Sequence, residues 1–298
     1  MIRMKVLLLY GGPSGEHEIS LQSAASVLAE LNAEKYEVLP VGMDKQGCLY
    51  LNDAAELIKN HPDSLPVALD NAEKIPSLII NGRLGLPADV VFPVMHGPMC
   101  EDGALQGLLD LTQVAYVGCN VLSSAICMDK DIARQLVHVE GIEPIRYHRL
   151  PHTSTDSLDK TWCEAAVEAL GFPLFVKPAS LGSSVGIHRV DNMQSLLRAV
   201  KDARQYDRTV LVEEYIDGRE IELAVLEHDG TEGLPDVSVP GEIKTKHPDG
   251  FYSYAAKYTE NEQLELCIPA PLTAKLTRTL QIAAAEIFMQ LRAGGLAR

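Results

Sequence analysis

Lys177 closes the apolar run Leu174-Phe175-Val176, is followed by Pro178, and lies five residues before Gly182-Ser183-Ser184-Val185-Gly186. Those residue types at that spacing suit a polyphosphate. The lysine brings a positive charge to a strand end, the glycines let the backbone come close, and the serine hydroxyls and amides donate hydrogen bonds. Lys130, at a helix start, offers a second cation. A single exposed lysine is ordinarily just solvated, so both lysines acquire meaning from the serine loop between elements. Glu213-Glu214-Tyr215-Ile216 ends a further strand, with Glu220 seven residues after Glu213. A strand end that passes from acid to apolar residues can offer backbone groups to a purine edge, and a carboxylate there can accept from ribose hydroxyls. By itself, an acidic pair also fits a solvated strand edge.

Nearer the start, Gly11-Gly12-Pro13-Ser14-Gly15-Glu16-His17-Glu18 lies between a strand and a helix, where backbone N–H groups and the helix dipole favour a negative ligand group. The loop is neither G-x-G-x-x-G nor a Walker loop. Glu16 makes it informative, because a carboxylate on an anion-favouring loop suits a ligand carrying both signs, as an amino acid does. His96-Gly97 and Glu101-Asp102-Gly103 come directly after the apolar stretch Val90 to Val94, the end at which α/β sheets present ligand-binding residues.

The elements that must position these groups follow from periodicity. Lys5 to Tyr10 reads as a buried strand of parallel type, and Leu21, Ala24, Ala25, Leu28 and Leu31 recur at helical spacing. Glu37 to Val41 and Val90 to Val94 supply further strands, so the first ~120 residues form an α/β layer unit. Asp44 to Pro87 loses the period and reads as an elaboration on that unit. Asp129 precedes a helix of about ten residues, and a second domain begins near residue 122. There Leu174 to Val176, Val210 to Val212 and Ile221 to Val225 alternate with turns, which predicts a largely antiparallel sheet, and Asp191 is placed to cap a helix carrying Leu196, Leu197, Val200 and Ala203. The final helix has Leu272, Leu276, Leu280, Ala283, Ile287 and Leu291 on one face with Gly294-Gly295 as its stop, and Leu296-Ala297-Arg298 begins another strand.

Composition removes several classes. The 298 residues carry 26 Lys and Arg against 41 Asp and Glu, a formal −15, so the chain as a whole repels nucleic-acid phosphates. No stretch approaches the ~18 uninterrupted apolar residues of a membrane helix, and Arg3 and Lys5 flank no run suited to a signal peptide, so a cytoplasmic address is expected. The six cysteines form no C-x-x-C pair and the nine histidines no H-E-x-x-H, so free thiols and no protein-bound zinc are expected.

Taken in order, Tyr10 to Ser20, His96-Gly97, Glu101-Asp102-Gly103, Met128-Asp129-Lys130, Val176-Lys177-Pro178, Gly182 to Gly186, Ala256-Lys257-Tyr258 and Gly295 to Arg298 resemble the D-alanine–D-alanine ligases. The resemblance runs over the whole chain. It implies an α/β and α+β architecture in which a Rossmann-like N-terminal domain (1–121) precedes an ATP-grasp fold, with a central subdomain (122–216) and a C-terminal subdomain (217–298) that is incomplete. It further implies ATP-dependent ligation of two D-alanines for peptidoglycan, with Mg²⁺ or Mn²⁺, in a homodimer. Glu16 would contact the ammonium of the first D-alanine, with Ser183 and Tyr258 hydrogen-bonded to it and His96 near the substrate carboxylates. Lys130, Lys177, Ser183, Ser184, Glu213, Glu214 and Glu220 would line the ATP site. Lys257 would reach the γ-phosphate from a lid spanning Asp249 to Glu260, and Arg298 would stabilise the tetrahedral centre.

Two departures from the family pattern stand out. Cys100 occupies a place where the family usually has glycine, which draws attention to the backbone of the His96 loop. The family's metal ligands, an aspartate and a Glu-x-Asn strand, lie past Arg298, so no metal ligand is expected within these residues. A catalytically impaired nucleotide-binding fragment and a ligase using D-lactate as second substrate are therefore carried as alternatives, with Tyr258 arguing against the latter.

Overall fold

A computed structural model describes residues 3–150, 156–228, 233–245 and 264–298. The chain divides into two compact units, one of residues 1–125 and 294–296, the other of residues 126–293 and 297–298. The proposed lid, with Lys257 and Tyr258, lies outside the described residues.

In the first unit β1 (Met4–Gly11) is followed by α1 (His17–Glu30), β2 (Tyr36–Met43), β3 (Leu49–Leu51), α2 (Ala54–Asn60), β4 (Glu73–Ile75), a hairpin of β5 (Ile79–Ile80) and β6 (Arg83–Leu84), β7 (Val90–Pro93), α3 (Ala104–Asp110) and β8 (Ala115–Tyr116). Six strands make one sheet in the order β4-β3-β2-β1-β7-β8. The expected parallel pairing holds where β1 lies between β2 and β7. The aperiodic stretch after Asp44 adds β3 and β4 antiparallel at one edge, the elaboration expected there. From Val6 to Tyr10 β1 is apolar at every position because both faces are covered there: Leu7 and Leu9 enter one core cluster, Leu8 and Tyr10 the other.

α4 (Val121–Met128) leads into the second unit, which continues with α5 (Lys130–Leu136), β9 (Tyr147–Leu150), α6 (Asp156–Leu170), β10 (Leu174–Pro178), β11 (His188–Val190), α7 (Met193–Ala203), β12 (Val210–Glu214), β13 (Glu220–Glu222), β14 (Val225–Leu226), β15 (Asp236–Val237), β16 (Gly241–Thr245), β17 (Leu264–Cys267), α8 (Ala274–Gln290) and β18 (Leu296–Ala297). The antiparallel expectation is met by a four-stranded sheet, β11-β10-β12-β9, and by a three-stranded one, β13-β16-β17. In the first, period-two alternation separates two roles. Leu174, Val176, Val210, Val212 and Leu150 face a core shared with α6 and α7, while Phe175, Lys177, Glu213 and Tyr147 take the opposite face.

Three local expectations are corrected. α7 is capped by Asn192, not Asp191: the Asn192 side chain accepts from Ser195 N at 2.9 Å and Ser195 returns a bond to the Asn192 N–H, a reciprocal box that Asp191, one residue too early, cannot form. Asn192→Ala should destabilise the chain by about 1 kcal/mol in urea unfolding, while Asp191→Ala should change it by less than about 0.5; equal effects would show that the box is not the cap. α8 stops before the glycines, with Arg292 in the left-handed region (φ 51°) and Ala293 N donating back to Phe288 O at 3.0 Å. Its buried side chains are Ala283, Ala285 and Phe288, with Leu291 just beyond its end, whereas Leu276 stays exposed and Leu272 precedes the helix. The two alanines admit a close approach of β14 and β15, so burial follows those strands rather than the leucine stripe.

Candidate active site

In the second unit the structure brings Lys130, Lys177 and Glu213 into one cluster and hangs the serine loop beside it. Cross-strand register sets Phe175 opposite Glu213 and Glu213 opposite Tyr147 on one row, with Lys177 two residues further along the same face. Glu213 is fully buried, and its two carboxylate oxygens are taken by Arg134 Nη1 (2.5 Å) and Lys177 Nζ (2.5 Å). Lys130 reaches over from α5: its Nζ donates to Leu181 O (2.5 Å) and Ala179 O (3.3 Å), and its backbone N–H to Ala179 O (3.0 Å). Asp129 caps α5 through the amides of Asp131 and Ile132 and accepts from Ser180 Oγ at 3.3 Å, which fastens the helix start to the loop leaving β10.

The loop itself is strained where the chemistry was expected. Ser183 and Ser184 both adopt left-handed φ (48° and 59°), a conformation that costs an L-residue about 1–2 kcal/mol. Such strain persists only where the surroundings enforce it, and it gathers at binding sites. Gly186 must be glycine twice over, because its φ is 69° and a Cβ would come within 2.9 Å of the Tyr206 ring and 3.0 Å of Pro178.

Electrostatically the cluster sets three half-buried cations against the buried Glu213 and the half-buried Asp129. Burial, and then repulsion from Lys177, push the Lys130 ammonium down to about 8. A polyphosphate is the ligand that such an excess of half-buried positive charge favours.

In the first unit the Glu16 and His96 loops are joined. Ser14 Oγ donates to His96 O (2.6 Å) and accepts from Glu16 N (3.2 Å), and His96 Nε2 shares a hydrogen bond with Ser23 Oγ at 3.0 Å. Glu16 is buried, at 7% exposure, and stands at the start of α1 without a side-chain cap bond. Its carboxylate lies against Gly97, where φ is 79° and a Cβ would fall 2.6 Å from Glu16 Oε2. In the backbone of the His96 loop the left-handed non-glycine residue is Met99, at φ 71°, while Cys100 is buried and its thiol pushed up to about 12 by burial, then by Glu101, Asp102 and Glu16.

The remaining candidates are spread out. Glu214 is held by Arg146, whose N–H and Nε reach its two oxygens at 2.8 and 2.7 Å. Glu220 is an exposed residue of β13, and Arg298 Nη1 pairs with Glu222 Oε2 at 2.9 Å. Glu213, expected to line the ATP site, has no exposed surface and is enclosed by Lys177 and Arg134. Among the described residues no group of three His, Cys, Asp or Glu side chains could hold a metal ion. Sequence reasoning passed over Arg134, Ser14 and Ser23. Arg134 sits one helical turn after Lys130, the i, i+4 relation that could have flagged it.

Comparison with known proteins finds relatives over nearly the whole chain. The family model described as D-ala D-ala ligase N-terminus matches residues 5–119, and that described as D-ala D-ala ligase C-terminus matches residues 136–298. The D-alanine–D-alanine ligase of Legionella pneumophila (strain Corby) is 53% identical over 295 residues, 99% of this chain and 81% of the relative. The D-alanine–D-alanine ligase A of Bradyrhizobium diazoefficiens is 41% identical, again over 99% of this chain and 81% of the relative. Among solved structures, the VanG D-Ala:D-Ser ligase of Enterococcus faecalis superposes with a TM-score of 0.79 at 33% identity, covering 99% of this chain and 84% of that one. The D-alanine–D-alanine ligase of Coxiella burnetii gives 0.76 at 32%, with 99% and 79% covered.

Proposed function

We propose a division of labour among the residues of this chain, which belongs to the D-alanine–D-alanine ligase family. The chain is an ATP-dependent carbon–nitrogen ligase of ATP-grasp fold that joins two D-alanines into D-alanyl-D-alanine, with ADP and phosphate released, for peptidoglycan precursor synthesis. The reaction needs a carboxylate made electrophilic. The carboxylate oxygen of the first D-alanine attacks the γ-phosphorus, the bond to the ADP oxygen breaks, and an acyl phosphate forms. The amine of the second D-alanine then adds to the acyl carbon, a proton leaves the nitrogen, and inorganic phosphate departs. Positioning and charge neutralisation supply most of such catalysis.

Lys130, Lys177 and the Ser183-Ser184 loop hold the polyphosphate, and the observation that supports this is the excess of half-buried positive charge around Glu213. Glu214 and Glu220 serve the nucleoside end, and Lys257 the γ-phosphate. Glu16 takes the ammonium of the first D-alanine, and His96 lies near substrate carboxylates. Ser183 and Tyr258 contribute hydroxyls to the amino acid, and Arg298 stabilises the tetrahedral centre. Mg²⁺ or Mn²⁺ would arrive with the nucleotide; the described residues offer it no ligand cluster, and no step above is routed through it. We read the second unit as two subdomains meeting near residue 216, because the four-stranded sheet β11-β10-β12-β9 lies before that point and the three-stranded β13-β16-β17 after it.

A D-alanine-dependent release of ADP, followed in a coupled assay, tests the reaction. Glu16→Gln tests the substrate assignment: loss of a charge-assisted pair worth about 1.5–3 kcal/mol should weaken D-alanine binding in calorimetry roughly 10- to 150-fold while leaving ADP affinity unchanged. An unaltered D-alanine affinity removes Glu16 from the site. No described helix is long and apolar enough to cross a membrane, and we place the enzyme in the cytoplasm. We also read it as a homodimer, a reading supported by the exposed Leu108, Leu111 and Leu122 of the first unit. Sedimentation should give twice the chain mass, and a monomer at micromolar concentration would remove that reading.

A further inference from the structure

Lys177 is assigned to a phosphate, yet its ammonium already sits 2.5 Å from a carboxylate with no exposed surface. If Lys177 turned to a ligand and nothing else touched Glu213, a buried charge would be left unpaired, which is strongly unfavourable. Arg134 changes that balance by occupying the other oxygen, Oε1, at 2.5 Å. We propose that Arg134 is the positioning residue of the nucleotide site, the fixed counter-ion of Glu213 that frees Lys177 to engage phosphate. The inference rests on reading the cluster as the nucleotide site.

Arg134 is built to stay in place. Its guanidinium carbon lies 5.2 Å from the centre of the Tyr147 ring, and the Tyr147 hydroxyl donates to Asp131 Oδ1 at 2.9 Å. Asp131, itself buried, also receives Gln135 Nε2 at 3.0 Å and Arg149 Nε at 3.0 Å. The ring is therefore fixed, and the guanidinium is held by a stacking contact on one side and a carboxylate on the other. Arginine suits this task better than lysine, because its planar group can stack and pair at once and never loses its charge. Lys177 touches the same kinds of partner, Glu213 Oε2 and the face of Phe175 at 5.9 Å, but that oxygen accepts no hydrogen bond, whereas Oε1 accepts one from Arg134. Of the two cations on Glu213, the one at the end of β10 beside the serine loop therefore gives up less in turning to a phosphate.

The test is a double-mutant cycle read by calorimetry with ADP. Arg134→Met should lower ADP affinity about tenfold or more, since Glu213 then grips Lys177 alone. Adding Glu213→Gln to Arg134→Met should recover most of the loss, because a neutral amide no longer competes for the ammonium. A merely structural role predicts the opposite, losses that add. Arg134→Lys keeps the charge without the stacked plane and should lose about threefold; should Arg134→Met not fold, the same cycle is run with this variant. Lys177→Met separates the two readings. If it leaves ADP affinity unchanged, the cluster is not the nucleotide site. If it abolishes binding while both Arg134 variants stay within about twofold of the parent, or if the double variant shows no recovery, the positioning role is wrong and the site assignment stands.

Discussion

Glu213→Ala should destabilise the chain by about 3–5 kcal/mol, the usual consequence of removing one partner from a buried ionic cluster. The carboxylate has no exposed surface and holds two cations whose side chains are themselves only 23% and 17% exposed, so neither Arg134 nor Lys177 has water ready to replace it. Glu213→Gln keeps the shape and one acceptor and should lie between, at about 1–3 kcal/mol. Urea unfolding monitored by circular dichroism measures both, and a loss below about 1 kcal/mol for the alanine variant would show that the cluster is solvated. The informative companion replaces all three charges by apolar residues of similar size, Arg134→Met with Lys177→Met and Glu213→Leu. Such replacements in other proteins are neutral or stabilising. Here the triple variant should be as stable as the parent and bind no nucleotide, which would identify the charges as retained for ligand and not for folding.

How far the site was legible in the chain depends on the distance over which each signal acts. The loops of Glu16 and His96, the strand ending at Lys177 and the glycine-bracketed serines all announce themselves within ten residues, because strand, turn and helix start are local events. Glu213 shows what local reading misses. Period-two alternation correctly puts it on the face opposite Val210 and Val212, and an edge carboxylate on that face would be exposed. What buries it is α5, whose Arg134 lies 79 residues earlier. The same holds for Tyr147, which meets Glu213 only through the register of β9 on β12. The cap expected at Asp191 fell at Asn192 for a smaller reason: two adjacent residues can both cap, and only the serine three positions on decides between them. Met99 was passed over because a left-handed φ at a large residue is imposed by the loop's hydrogen bonds, Met99 N to Asp102 among them, and not by its own preference.

The second large effect is a pH dependence with opposite signs for binding and stability. Lys130 is pushed down to about 8, first by burial and then by the neighbouring Lys177, with Arg134 adding to the repulsion and Glu213 and Asp129 opposing it. In the unfolded chain the same lysine titrates near its ordinary value of about 10.4. Between those values the folded apo chain holds fewer protons than the unfolded one, so stability rises with pH across that window, by at most about 3 kcal/mol. Below pH 8 the group is charged in both states and contributes no slope. Nucleotide binding runs the other way. Its phosphates are fully ionised by pH 8 and recruit a charged Lys130, so above that point each binding event must also draw a proton onto the lysine, and ADP affinity should fall by up to about tenfold per pH unit. Calorimetry in two buffers of different ionisation enthalpy should report uptake approaching one proton per ADP at pH 9 and almost none at pH 7. Lys130→Met should abolish both slopes, binding ADP weakly at every pH and unfolding at a denaturant midpoint that no longer climbs between pH 8 and 10. An ADP affinity that stays level from pH 7 to 9.5 in the parent chain would mean that Lys130 does not meet the phosphates, whatever its burial.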